Sequence, residues 1–427
     1  MSSAPASSDA DVETGPGRGV LGFAPWVDAL AMWAVVFVAL FLAVWIGSRG
    51  PFATYGGVDE APYPGSGLFS GWFRFDGNWY AQISTSGYWF AGTDRQSAVA
   101  FFPAYPGVLW GLHSVTTVSV KLLGSLVTIA CGLGALLAIF KWFRDHVTDQ
   151  VARVALITLL VYPYVFYLFG AVYGDALFLL AAVGAFLLLE RDHTILAGLA
   201  GAVATATRPV GIALIIGLVA VALWRRHVIE AGESRWRPRV LWRRLRPADA
   251  GVLLSLGGLV GYMTYLGIRF GHPLAFDEVQ SAPGWDQGSG PRTWFKITWF
   301  QQIKNLPRWF WDWLQNGDTA TFEKVQYAVT VILQGLFVLG FLFLAWQVWK
   351  KFGWGYGLYC FSMLAIALIG TKDFQGTGRY LLAMFPCFLV LGGYLADRPV
   401  LRRTWWSISG IVLLAGCFAF GRGYYVA

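Results

Sequence analysis

The chain has 427 residues, 56% of them apolar and 17% aromatic with 22 Trp, only 13% charged, and a mean hydropathy of +0.54. A soluble globular domain carries about 25% charged residues, so this composition excludes a soluble enzyme, a disordered chain and a nucleic-acid binder. The formal net charge of +8 then becomes a question of which side of a membrane each charge occupies.

Residues 1–25 are rich in Ser, Ala, Gly and Asp, hold no apolar run, and read as a flexible cytoplasmic tail ahead of a single membrane domain over 26–427. The first apolar stretch, Trp26 to Ile46, is about 20 residues long with no small-residue cleavage site, and predicts a retained membrane helix. Runs of suitable length follow at about 119–141, 152–170, 175–190, 250–268, 326–349, 354–371, 380–396 and 404–421. The run Thr194 to Trp224 is too long for one helix and carries Thr207-Arg208-Pro209 at its middle, so it predicts two short helices meeting at a break. That division gives about 11 transmembrane helices in an all-α polytopic fold.

Charge tests the parity, because short cytoplasmic loops are enriched in Lys and Arg. With the N-terminus inside, Lys141/Arg144, Arg191, the eight arginines of the 225–248 loop, Lys350/Lys351 and Arg398/Arg402/Arg403 all fall in the cytoplasm. Counting Phe102–Ser114 as a span would push the basic 141–146 loop outside, so that piece reads as a helix lying at the outer interface. Two long external loops result, about 48–118 and 270–325. The basic 225–248 loop is first a topology determinant and second a surface for anionic lipid headgroups. The Trp-rich stretch Trp294 to Trp313 predicts an interfacial amphipathic helix. Cys131, Cys360, Cys387 and Cys417 lie inside apolar runs without metal-site spacing and read as small core residues.

The first external loop holds the densest chemistry: Phe73-Arg74-Phe75-Asp76-Gly77-Asn78-Trp79-Tyr80, then Ser86-Gly87-Tyr88 and Ala100-Phe101-Phe102-Pro103-Ala104-Tyr105-Pro106. Asp76 falls at the start of a short helix, where a carboxylate either caps amides or accepts a proton from a hydroxyl nucleophile. Asp175, in Tyr173-Gly174-Asp175, offers the same two readings on the same face. Arg208 and Arg379 stand at span boundaries near Pro209 and Tyr380; an arginine at membrane level is costly unless paired, and its planar fork suits a phosphate. His272-Pro273 shapes a turn or contributes to a site with Asp277. A lipid-linked-sugar flippase or transporter is the rival reading, but it expects ionisable groups near the middle of several spans, whereas nearly all of them here lie at span ends.

Five of these strings resemble, in the same order, the PIG-V-type mannosyltransferases, which include the enzyme adding the second mannose of GPI anchors and its bacterial relatives. They are Asp76-x-x-Trp79-Tyr80 with Gly87-Tyr88; Phe101-Phe102-Pro103-x-Tyr105-Pro106; Tyr173-x-Asp175-x-Leu177-Phe178; Thr207-Arg208-Pro209-x-Gly211; and Arg379-Tyr380 with Phe385-Pro386. The resemblance covers about residues 72–396. It departs at Phe75, where many relatives have Trp, and at Asp175, where Glu is common. It implies a GT-C fold and an inverting glycosyltransferase that moves mannose from a polyprenyl-phosphate-linked sugar donor to a hydroxyl of a glycolipid or glycan acceptor. In that scheme Asp76 is the general base, and Arg208, Arg379 and Tyr380 hold the donor phosphate. Trp79, Tyr80, Phe102, Tyr105, Tyr173, Asp175, His272 and Asp277 line the acceptor and sugar. The scheme requires no cofactor; a divalent metal is compatible with Asp76, Asp175 and Asp277, but no ligand spacing calls for one. Arg outnumbers Lys 24 to 8 in a chain rich in Ala and Gly. That points to a bacterial plasma (inner) membrane protein acting on the extracytoplasmic face, with cell-envelope acceptors and membrane lipids as partners.

Overall fold

The computed structural model describes residues 25–55, 58–59, 67–234, 237–285, 287 and 290–426; the expected cytoplasmic tail, save Pro25, lies outside them. The first described element is α1 (Pro25–Gly47), and a first long loop follows in which Thr54–Tyr55 pairs antiparallel with Val58–Asp59 and which carries the helices α2 (Asp76–Ser86) and α3 (Ala104–Val115). Next come α4 (Val120–His146), α5 (Asp149–Leu160), α6 (Asp175–Glu190), α7 (Thr194–Thr205) and α8 (Gly211–Arg225). A second hairpin pairs Ile229 with Val240, and a 3-10 stretch, Pro247–Leu256, runs directly into α9 (Gly257–Phe270). The second long loop contains α10 (Ala275–Glu278), α11 (Pro291–Trp294) and α12 (Ile297–Asn316). The remainder is α13 (Thr319–Phe352), α14 (Trp354–Gly370), the single turn α15 (Thr377–Tyr380), α16 (Phe385–Ala396) and α17 (Pro399–Gly421).

Among the described residues, α1, α4, the 247–270 stretch, α13 and α17 are each long and apolar enough to cross a membrane. The segment Thr377–Ala383 joins α16 at a bend of 81° and would count with it as a sixth broken span, while α7, α8 and α14 are shorter apolar helices. The protein is therefore a polytopic helical membrane protein, but its expected eleven regular crossings include several short or interrupted ones. The clearest correction is at 152–170. There α5 ends at Leu160 and the chain continues through turns and a 3-10 helix, Val165–Leu168. Pro163 explains the break, since it has no N–H to donate and its ring collides with the carbonyl four residues earlier. Val165 to Phe169 are essentially inaccessible, which is how irregular backbone is tolerated at membrane depth.

The Thr207-Arg208-Pro209 break does separate α7 from α8, as the sequence predicts. Small residues set how closely helices approach. A Cβ on Gly47 would lie 2.3 Å from the Phe418 carbonyl, and one on Gly421 would lie 2.3 Å from that of Val44. α1 and α17 therefore cross backbone to backbone, and this contact delivers the segment after α17 to the first long loop. At 34 residues α13 is about 51 Å long, well beyond the roughly 30 Å hydrocarbon core. Its first turn is capped by Asp318 on the Thr321 N–H (2.8 Å). α12 is strongly amphipathic: Phe300, Ile303, Phe310, Trp311 and Leu314 are exposed, and Trp299 turns inward to donate to the Val331 carbonyl at 2.9 Å. Some arginines of the 225–248 loop have a local task. Arg225 donates to the Glu190 carbonyl at the end of α6 (2.6 Å), and Arg226 pairs with Asp249 at 2.9 Å.

Candidate active site

The site starts from a strained residue. Phe75 has φ +47° and ψ −110°, a conformation an aromatic residue rarely adopts and one that surrounding contacts must impose. Its ring lies edge-on to Tyr425 (4.9 Å between centroids) and against Phe420 (6.0 Å), so the segment after α17 braces this turn. The next residue, Asp76, is the first of α2. Its carboxylate does not cap the helix: Phe75 holds the capping position with no side-chain cap bond, and Asp76 Oδ2 instead accepts from Arg379 Nη1 at 3.1 Å. The Asp76 backbone N–H donates to the Tyr173 hydroxyl at 3.4 Å. Asp175 repeats the arrangement. It is the first residue of α6, caps nothing, pairs with Arg208, and has Oδ2 at 4.0 Å from Arg379 Nη1.

Two irregular segments bring the arginines in. Arg208 sits in the α7–α8 break with its guanidinium over the Tyr380 ring at 4.8 Å. Arg379 lies on α15, and Gln334, a fully buried residue of α13, accepts the Gly378 N–H at 3.1 Å just before it. The turn into α15 uses Gly376 at φ +80°, a conformation that costs a residue with a Cβ but not glycine. The Arg379 guanidinium lies between Tyr167 (5.1 Å) and Tyr173 (5.0 Å). The outcome is an alternating chain of charges: Asp76, Arg379, Asp175, Arg208. Such groups contribute little net stability, because desolvation offsets their attraction, but removing the buried Asp175 leaves Arg208 a stranded charge at a cost of about 3–5 kcal/mol.

Asp76, Arg379 and Arg208 lie along a cleft of about 1460 Å³. Asp76, 24% exposed against 5% for Asp175, is the member of this carboxylate pair that reaches the opening; Arg208, Arg379 and Tyr380 line it too. Trp79 stacks on Phe101 (5.5 Å, 17° between planes) and meets Trp285 at 5.6 Å, making an aromatic shelf. Burial pushes the Tyr80 phenol well above its ordinary pKa, which keeps it protonated. The rest of the wall comes from the second long loop, the first turns of α13, the segment before α15, and Tyr425.

A scan against protein-family models finds no match for this chain, and a search of the curated proteins finds none either. Solved structures do show similarity. The Archaeoglobus fulgidus oligosaccharyltransferase with zinc and sulfate aligns at 13% identity and TM-score 0.45, over 92% of this chain and 53% of its own. ArnT from Cupriavidus metallidurans in the apo state aligns at 15% identity and TM-score 0.45, over 92% and 76%. The A. fulgidus oligosaccharyltransferase AglB bound to an inhibitory peptide and a dolichol-phosphate aligns at 12% identity and TM-score 0.41, over 94% and 56%. The chain spans about half the length of the archaeal proteins.

The sequence-predicted residues separate into groups. Asp76, Trp79, Tyr80, Phe102, Arg208, Asp277, Arg379 and Tyr380 line the cleft. Asp175 and Tyr173 do not; they stand behind the arginines, buried, where they hold Arg379 and the backbone of Asp76. Tyr105 is a core residue: its hydroxyl donates to the Gly124 carbonyl at 2.9 Å and meets Thr128 at 3.0 Å, because α3 packs its first turn on α4. His272 is half-exposed beside Glu278 (3.5 Å) and outside the lining. Among the described residues no group of three His, Cys, Asp or Glu is placed to hold a metal ion; Asp76 and Asp175 each face an arginine, and Asp277 is on a separate element, so the donor set does not fit a divalent cation. Sequence reasoning missed Tyr425, Trp285, Gln326 and Tyr327. The signal for Tyr425 was an aromatic pair, Tyr424-Tyr425, just beyond a span, and for Gln326 and Tyr327 it was polarity at the start of an apolar run.

Proposed function

We propose that the protein is a GT-C glycosyltransferase of PIG-V type. In this reading it moves mannose from a polyprenyl-phosphate donor to a hydroxyl of a cell-envelope glycolipid or glycan, on the extracytoplasmic face of a bacterial plasma membrane. The observation that carries the reading is the accessible Asp76 carboxylate held at 3.1 Å by Arg379, in a cleft that also presents Arg208 and Tyr380 beside membrane-spanning helices.

The donor phosphate would lie against Arg379 and Arg208. A guanidinium has five N–H donors, so each arginine can keep its carboxylate and still contact a phosphate. The acceptor oxygen attacks the anomeric carbon as Asp76 takes its proton; the bond from that carbon to the phosphate oxygen breaks, its electron pair leaves with the phosphate, and the sugar centre inverts from β to α. Negative charge on the departing phosphate grows along this path, so prepositioned arginines stabilise the transition state more than the ground state. Asp175 fixes both arginines from behind, and the strain at Phe75 sets the direction of Asp76.

The test is transfer of radiolabel from polyprenyl-phosphate mannose into membrane lipid extract by purified protein, with the product's linkage determined. An α-linked product supports the reading. Absence of transfer from this donor, with transfer from another polyprenyl-phosphate sugar, would reassign the sugar while retaining the reaction class.

A further inference from the structure

Beyond the arginines the cleft wall carries carboxylates and side-chain amides. Asp277 and Glu278 on α10 and Glu323 on α13 line it, against one cation among the described residues there, Lys324. Three of the lining glutamines hydrogen-bond the protein through Nε2. Gln96 donates to the Pro283 carbonyl (3.1 Å), Gln280 to that of Phe276 (3.3 Å) and Gln326 to that of Tyr425 (2.9 Å). These bonds fix the amide orientation and leave Oε1 available to a ligand, with one further N–H on Gln96 and on Gln280. Trp285, Trp79 and Phe101 add flat apolar faces to the same wall.

An acceptor-rich wall is selective. It matches a ligand that brings many O–H donors, and it disfavours one bringing negative charge, because like charges brought together cost several kcal/mol. Aromatic faces carry negative quadrupole density and large apolar area, which suits the C–H face of a pyranose. We infer that this wall is an acceptor subsite for an uncharged saccharide, with a sugar ring on Trp285 and its hydroxyls on Gln96, Gln280, Asp277 and Glu323, and that it discriminates against a phosphate-bearing headgroup at that position. The inference rests on the glycosyltransferase reading for its direction, since it names the acceptor's chemistry; the two arginines then hold the anionic reactant and this wall the neutral one.

The test is binding without a donor. Full-length protein in nanodiscs, free of sugar-headed detergent, is titrated by calorimetry with mannotriose and with the same trisaccharide carrying a terminal phosphate. Saturable binding of the neutral probe is expected, with the phosphorylated probe about tenfold or more weaker, a difference of about 1.4 kcal/mol. W285A should weaken the neutral probe about tenfold, and the D277N/E323Q double variant should bring the two probes within about threefold. Equal or tighter binding of the phosphorylated probe, no saturable binding of the neutral one, or an unaffected W285A would each overturn the inference. D76N separates the two proposals: it should bind mannotriose as the unmodified protein does while losing transfer. Transfer that occurs only to phosphate-bearing acceptors would sink the inference and leave the glycosyltransferase reading standing.

Discussion

The two carboxylates of the charge chain are sharply distinguished by exposure, and a pair of isosteric substitutions turns that difference into numbers. Asp76→Asn keeps the shape of the side chain but removes the proposed base. General-base catalysis contributes about 10²–10⁴ in rate, so the variant should lose about 2.7–5.4 kcal/mol of transition-state stabilisation at 1.36 kcal/mol per tenfold. Its effect on stability should be small, about 1 kcal/mol, because Asp76 is partly solvated and Arg379 keeps Asp175 at 4.0 Å. Asp175→Asn reverses the order. It strands Arg208 and weakens the second contact of Arg379 in a buried setting, so about 3–5 kcal/mol of stability is lost. Its transfer defect is indirect and should appear as a fall in kcat through misplaced arginines. The assays are label transfer from polyprenyl-phosphate mannose and thermal unfolding of the detergent-solubilised variants. A D76N protein within threefold of full activity, or one less stable than D175N, would refute the assignment of base and positioning roles.

Three further outcomes test the geometry. Tyr105→Phe removes the hydroxyl from the Gly124 carbonyl and Thr128, and should cost about 1–3 kcal/mol of stability with an unchanged KM for acceptor; a raised KM would return Tyr105 to the cleft. Gln334→Leu leaves the Gly378 N–H without its side-chain acceptor, so it should destabilise by a similar amount and lower kcat more than it raises KM for donor, measured by steady-state kinetics. Lys296, buried at the start of α12 with its ammonium donating to the Thr371 carbonyl, has its pKa pushed down to about 8 by burial, Asp373 opposing. The unfolded chain keeps that proton to about pH 10.4. Between these values the unfolded state binds more protons than the folded one, so stability should rise as pH goes from about 8 to about 10, and Lys296→Met should abolish the rise in thermal unfolding scans.

Much of this protein can be read from local physics. Low charge and long apolar runs require helices in a bilayer, since only internally bonded backbone survives there; Pro209 beside Arg208 marks a break, and Asp76 before Gly77 marks a helix start. The failures are instructive. Pro163 was as visible as Pro209, yet the run around it was expected to be continuous, because hydropathy reports burial without saying whether lipid or protein surrounds the segment. Tyr105 sits in an aromatic string with Phe102, yet Phe102, ahead of α3, packs on Tyr262 and Phe276 at the edge of the cleft while Tyr105, in the first turn of α3, is held in the core.

What the sequence determined by itself is therefore the medium, the class of fold and a short list of ionisable residues at span ends. Only the tertiary structure decided which of them act together. Asp76 and Arg379 are 303 positions apart, and Tyr425 reaches Phe75 because Gly47 and Gly421 let two distant helices touch. An ion pair depends on separation in space, and no periodicity in the chain encodes a distance between residues that different helices carry.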